Sequence, residues 1–75
     1  MSVHKANLVW NRNEIDFDYK NYSRNHIWTF ENGAKLEVSA ATQYLGDPDC
    51  VDPEQAFVAS LSSCHLLTFL ALASF

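Results

Sequence analysis

The sequence predicts an α+β fold, in which N-terminal antiparallel strands and a hairpin precede one long buried helix. Two observations carry this prediction. Residues 25–41 alternate apolar and polar side chains on either side of Asn32-Gly33, which is typical of a β-hairpin. Residues 55–75 contain no charged side chain and follow a strong helix-start signal at Asp52-Pro53.

The length and net charge of the chain limit which classes of protein it can belong to. A chain of 75 residues forms one small domain at most, and such a chain buries only about 60% of its unfolded surface, so a covalent staple, a metal or a partner subunit is expected to stabilise it. The nine acids outnumber the five bases, which argues against a nucleic-acid surface. The first ten residues lack the apolar run of a signal peptide, and two cysteines fit a reducing compartment. We therefore expect a cytoplasmic protein.

The N-terminal part predicts two extended segments. Residues 3–10 form a plausible first strand with Leu8 and Trp10 on one face, because side chains alternate along a strand. A polar, turn-like stretch follows at residues 11–13. Residues 14–20 alternate acidic and apolar side chains, which predicts a half-buried strand or an extended arm. The acids at 14, 16 and 18 are expected on its solvated face.

The hairpin of residues 25–41 leads into a predicted loop at residues 42–51 and then into the helix of residues 52–75. Cys50 lies in that loop between two prolines. Asp52 is a good N-cap, and Gln55 at the third helical position completes a capping box. Glu54 favours the positive end of the helix dipole. The helix has no closing glycine or basic residue, so we expect a longer chain or a disordered remainder after Phe75.

The uncharged helix is long enough to span a bilayer. It also contains several serines, a histidine and a threonine, and no basic residue flanks it. A helix that is apolar all round can equally be buried in a protein interior. The pattern alone leaves the membrane-spanning and the core-helix interpretations open.

Cys64 is the candidate nucleophile within this helix. A thiol attacks only as the thiolate, and apolar burial disfavours that charge. Its neighbours three and four residues away carry no cation, so activation would require a basic residue from elsewhere in the fold. An inert core cysteine is the simpler interpretation on these grounds. His65 is adjacent to Cys64 and points about 100° away around the helix, so no metal site is predicted.

Three stretches resemble the OsmC/Ohr family of osmotically inducible and organic-hydroperoxide-resistance proteins. Residues 52–73 (DPEQAFVASLSSCHLLTFLALA) are similar to the helix that holds the family's first cysteine. Residues 22–30 (YSRNHIWTF), and Ser39-Ala40-Ala41 followed by Gly46-Asp47-Pro48, are similar to the OsmC-like branch. The resemblance covers nearly the whole chain and corresponds to the N-terminal half of a family member.

The resemblance implies a thiol-dependent reductase of organic hydroperoxides that acts as an intertwined homodimer. Cys64 matches the attacking cysteine, Glu54 the active-site glutamate and Arg24 the arginine that stabilises the thiolate. Cys50 does not match the resolving cysteine, which is expected beyond Phe75. The implied reductant is a lipoyl-type dithiol, and no cofactor, metal, nucleic acid or membrane partner is implied. The alternative is a non-catalytic OsmC-like dimer that binds apolar small molecules.

The helix geometry adds one constraint on this site. Glu54 and Cys64 are separated by about 15 Å of rise along one helix. They therefore cannot touch within a straight helix. Either Arg24 bridges them, or a partner subunit supplies one member of the pair.

Overall fold

The computed structural model describes residues 2–75. Its elements are β1 (Ala6–Val9), β2 (His26–Phe30), β3 (Lys35–Val38), a short 3-10 turn (Thr42–Tyr44) and α1 (Pro53–Ala73). The strands form one antiparallel sheet in the order β1-β2-β3. The predicted α+β class is confirmed.

The hairpin between β2 and β3 forms as predicted, with Trp28 opposite Leu36 in the register. At the turn, the N–H of Gly33 donates to the Phe30 carbonyl at 2.9 Å, and the N–H of Phe30 donates to the Ala34 carbonyl at 2.9 Å. Gly33 has a φ of 88°, a conformation that glycine adopts without a steric penalty. Strand β3 ends at Val38, three residues before the predicted limit.

The buried centre lies where β3 meets the loop that precedes the helix. Val38 and Ser39 have no exposed surface. The N–H of Ser39 donates to the Val51 carbonyl at 2.9 Å, and its hydroxyl accepts from the N–H of Asp47 at 3.1 Å. These bonds satisfy polar groups that would otherwise be buried without partners. They also hold residues 39–51 against the end of the sheet.

Residues 14–20 were predicted as a strand or an extended arm, and that prediction is wrong. Asn13 and Glu14 both adopt left-handed φ values, 57° and 59°, which turn the chain back. The carboxylate of Asp18 then accepts from the N–H of Lys20 at 3.0 Å. Local bonds from Asn and Asp side chains compete with strand pairing and favour such turns. The carboxylates are solvent-exposed as expected, but Phe17 is exposed as well.

The predicted start of α1 is confirmed. The carboxylate of Asp52 accepts from the N–H of Gln55 at 2.8 Å, and the Gln55 side chain accepts from the N–H of Asp52 at 3.1 Å. Pro53 occupies the first turn, where its missing N–H costs no hydrogen bond. The helix ends at Ala73, and the N–H of Ser74 bonds back to the Leu70 carbonyl at 3.0 Å.

Within residues 2–75 the chain's own strands do not bury the helix, so the predicted burial of α1 in a dimer stays a prediction. Every residue from Phe57 to Phe75 is exposed. The helix is about 32 Å long at 1.5 Å per residue, whereas the strands have only four or five residues each and cannot cover it. The molecule is accordingly elongated, at 56 × 26 × 19 Å. Within residues 2–75, α1 is long and apolar enough to cross a membrane, but core helices of soluble proteins meet the same criterion.

Candidate functional site

Cys64 lies in the second half of α1 with an exposed, free thiol. The side chains one turn before and after it are Ser60, Leu61, Leu67 and Thr68. The Ser60 hydroxyl donates to the Phe57 carbonyl of its own helix at 2.8 Å. The immediate surroundings of the thiol on the helix are therefore uncharged, with two leucines and two hydroxyl-bearing side chains.

Glu54 lies in the first turn of α1, where the capping box fixes the backbone. It borders an open cleft of about 610 Å³ between the 3-10 turn and the helix. Tyr44 and Val58 form apolar parts of this cleft. The helix is continuous from Pro53 to Ala73, so the predicted separation of Glu54 and Cys64 holds within one chain.

Arg24 lies just before β2 and is half-buried. Its guanidinium donates to the Tyr22 carbonyl at 2.6 Å and to the Tyr19 carbonyl. The guanidinium carbon also lies 3.7 Å from the centre of the Tyr22 ring. These contacts hold the Arg24 guanidinium against its own loop. Among residues 2–75, Arg24 makes no hydrogen bond to Glu54 or Cys64.

Sequence reasoning missed the aromatic cluster that surrounds this arginine. The Tyr22 ring meets Phe17 edge-on with centroids 5.1 Å apart, and it meets Trp10 with centroids 6.3 Å apart. The indole N–H of Trp10 donates to the Ser23 carbonyl at 2.7 Å. The sequence does contain an indication of this cluster, because two tyrosines and two further aromatic residues precede Arg24 in a short polar segment. We call residues 10–24 the aromatic loop.

Cys50, the second thiol, is half-buried among acidic groups. Desolvation by burial raises its pKa, and the negative charges of Asp47 and Glu37 raise it further. Asp47 itself is held as a carboxylate, because its pKa is lowered by hydrogen bonds from the N–H of Asp49 and from the Asn25 amide. This environment disfavours the Cys50 thiolate. These contacts are consistent with a passive loop residue.

Metal ligation has no support in the described part of the chain. Over residues 2–75, no three His, Cys, Asp or Glu side chains come close enough together to hold an ion.

Comparison with known proteins identifies one solved structure with the same fold. No family model and no curated protein matches the chain. A solved structure, that of an OsmC-like protein of unknown function from Vibrio cholerae O1 biovar eltor, is 44% identical, with a TM-score of 0.88. The match covers 99% of this chain and 51% of that protein, so the chain spans about half of its relative. The chain is therefore OsmC-like in sequence and in fold, and it belongs with the OsmC-like proteins, of which it spans one half.

Proposed function

We propose that this protein reduces organic hydroperoxides through the thiol of Cys64, in defence against oxidative stress. Arg24 stabilises the thiolate and Glu54 orients Arg24. The observation that carries the proposal is the contrast between the two thiols. Cys64 is exposed on an uncharged helix surface, whereas Cys50 is surrounded by carboxylates that disfavour its thiolate. The 44% identity to an OsmC-like protein of unknown function supports the family resemblance from which the hydroperoxide substrate is inferred.

The proposed reaction balances without a bound cofactor. The Cys64 thiolate attacks the terminal oxygen of the hydroperoxide, the O–O bond breaks, and the alkoxide leaves and takes up a proton as the alcohol. The sulfur is oxidised to a sulfenic acid while the peroxide is reduced. A dithiol of the lipoyl type then reduces the sulfenic acid, which yields the thiol, a cyclic disulfide and one water. Within this chain, Cys50 is poorly placed to attack as a resolving thiolate because of its acidic surroundings.

The apolar surface around Cys64 favours an alkyl hydroperoxide over hydrogen peroxide. Leu61 and Leu67 flank the thiol by one turn on either side and are 57% and 63% exposed. An alkyl chain laid against them would bury apolar surface worth about 25 cal/mol per Å². Hydrogen peroxide gains nothing from such contacts, so the rates for the two peroxides should differ.

A homodimer accounts for both the exposed helix and the separated site residues. Large apolar side chains other than Leu61 and Leu67 are also exposed along α1, and contiguous apolar surface of this kind marks an interaction site. In a two-fold dimer, a residue of one protomer can approach the partner's helix. Arg24 of one copy and Cys64 of the other can then form a site that one chain does not form. Two free cysteines suit a reducing compartment, and we place the protein in the cytoplasm.

Peroxide consumption with a dithiol reductant tests the proposal. Purified protein is supplied with cumene hydroperoxide and dihydrolipoamide, and consumption of the hydroperoxide is followed over time. We expect turnover by the wild type and by Cys50→Ser, and none above background by Cys64→Ser. Equal consumption by the wild type and Cys64→Ser would rule out Cys64 as the reacting thiol.

A non-catalytic binder of apolar molecules is the second candidate function. It is favoured by the open cleft of about 610 Å³ beside the start of α1, to which Ala41, Tyr44, Val58 and Ala59 contribute apolar surface. A fluorescent apolar probe would report occupancy, and Val58→Asp would weaken its binding if the cleft is the site. Probe binding together with an unreactive Cys64 would favour this function over the peroxidase.

A further inference from the structure

Three contacts within the aromatic loop hold the Arg24 guanidinium in place. Two guanidinium nitrogens donate to the carbonyls of Tyr22 and Tyr19. The flat face of the guanidinium lies over the Tyr22 ring, with 3.7 Å between the guanidinium carbon and the ring centre. The Tyr19 ring is farther away, at 5.0 Å. Tyr22 therefore supplies both a hydrogen-bond acceptor and the closest stacking surface.

Tyr22 is itself held in place by the rest of the loop. Phe17 and Trp10 contact its ring edge-on. The bond from the Trp10 indole to the Ser23 carbonyl fixes the backbone between Tyr22 and Arg24. Aromatic pairs of this geometry stabilise a fold beyond the effect of the apolar area they bury. These contacts hold the Tyr22 ring in place beneath the Arg24 guanidinium.

We infer that Tyr22 is the positioning residue that holds Arg24 in the orientation from which it stabilises the Cys64 thiolate. This inference rests on the proposed function. A guanidinium has five N–H donors in a fixed plane, and the two carbonyls take only some of them. The remaining donors are free to meet an anion, and stacking on Tyr22 sets the plane in which they point.

The geometry explains why an arginine, and not just a positive charge, stands at this position. A lysine ammonium is a compact charge on a flexible stem, and it lacks the planar fork that bonds two carbonyls while stacking on a ring. Removing the Tyr22 ring leaves the charge of Arg24 intact, but the guanidinium plane is no longer held in one orientation. Loss of the ring should therefore act on the thiol in the same direction as loss of the charge.

The test measures the rate of Cys64 alkylation by iodoacetamide against pH, in a Cys50→Ser background. Arg24→Gln should shift the half-maximal pH upward by about one to three units, the range expected for loss of a nearby opposite charge. Tyr22→Leu should shift it in the same direction but by less, because the charge of Arg24 remains. Tyr22→Phe keeps the ring and should reproduce the parent profile. Phe30→Leu, which changes an aromatic residue outside the aromatic loop, is the matched control.

Arg24→Lys gives a second variant that leaves the aromatic ring untouched. It retains the charge but not the fork, so it should also shift the profile upward. An unshifted profile in Tyr22→Leu or Arg24→Lys, with a shift in Arg24→Gln, would overturn the positioning role and leave the proposed function standing. A peroxide-inert Cys64 in the parent protein would instead refute the proposed function. A purely structural role for Tyr22 would lower the unfolding midpoint without moving the alkylation profile.

Discussion

A β-carbon placed on Gly46 would lie 1.5 Å from the carbonyl oxygen of Ala40. The obstacle is main chain, so it cannot rotate away as a side chain would. The N–H of Gly46 also bonds to the Ala41 carbonyl at 3.2 Å, which draws the two segments together. This close approach packs the loop before the helix against the end of β3.

Gly46→Ala should therefore destabilise the protein by more than the roughly 1–3 kcal/mol typical of overpacking. The free energy of unfolding in urea, measured by circular dichroism, checks this. Gly33→Asn is the control, because the space around Gly33 is open and asparagine tolerates its positive φ. A Gly46→Ala loss no larger than that of Gly33→Asn would contradict the close approach.

The capping box at the start of α1 should carry a measurable share of stability. Asp52→Ala removes the carboxylate that accepts from the N–H of Gln55, and we expect a loss of about 1 kcal/mol. Asp52→Asn should lose much less, since asparagine is an equally good N-cap. Urea unfolding of the two variants provides the comparison. Equal losses in both would show that charge, not capping, is what Asp52 contributes.

These two features differ in how far the sequence predicts them. The cap and the Asn32-Gly33 turn are local, so neighbouring residues specify them and both were predicted. The contact of Gly46 with Ala40 depends on the path of the whole loop. Residues 14–20 have the alternation of a strand, but the turns at Asn13 and Asp18 satisfy the backbone locally instead.

The candidate site likewise has features that the sequence predicts and features that depend on how the chain folds. The thiol at Cys64 and the arginine at Arg24 were named from the sequence, and their chemistry follows from residue type. The stacking of Arg24 on Tyr22 depends on how the aromatic loop turns, which periodicity does not encode. The exposure of the helix likewise reflects which surfaces the short strands can reach.

Cys50 should make stability fall at alkaline pH. Its pKa is raised in the folded protein, chiefly by desolvation and then by Asp47, so the folded state keeps its proton longer than the unfolded state does. The resulting stability is present below the unfolded value of about 8.5 and is lost as pH rises through the higher folded value. Cys50→Ser should flatten the decline above about pH 8.5 in urea unfolding under reducing conditions. An unchanged slope would contradict the raised pKa.

Charge introduced on α1 should weaken the proposed homodimer. Leu70→Glu places a carboxylate on the helix, and the lost burial of one leucine, about 1.5–3 kcal/mol, should raise the dimer dissociation constant at least about tenfold. Light scattering over a concentration series measures the change. Leu45→Glu is a matched control, because Leu45 is 50% exposed off the helix and Leu70 is 51% exposed on it. Equal weakening by both, or a wild type monomeric throughout, would contradict dimerisation through α1.

The proposed attack of Cys64 on a hydroperoxide is tested most directly by a sulfenic-acid trap followed by peptide mass analysis. The reduced protein is treated with one equivalent of cumene hydroperoxide in the presence of dimedone, and the labelled cysteine is identified. We expect a label on Cys64, its loss in Cys64→Ser and its retention in Cys50→Ser. An unlabelled Cys64 in protein whose circular dichroism shows an intact fold would contradict it.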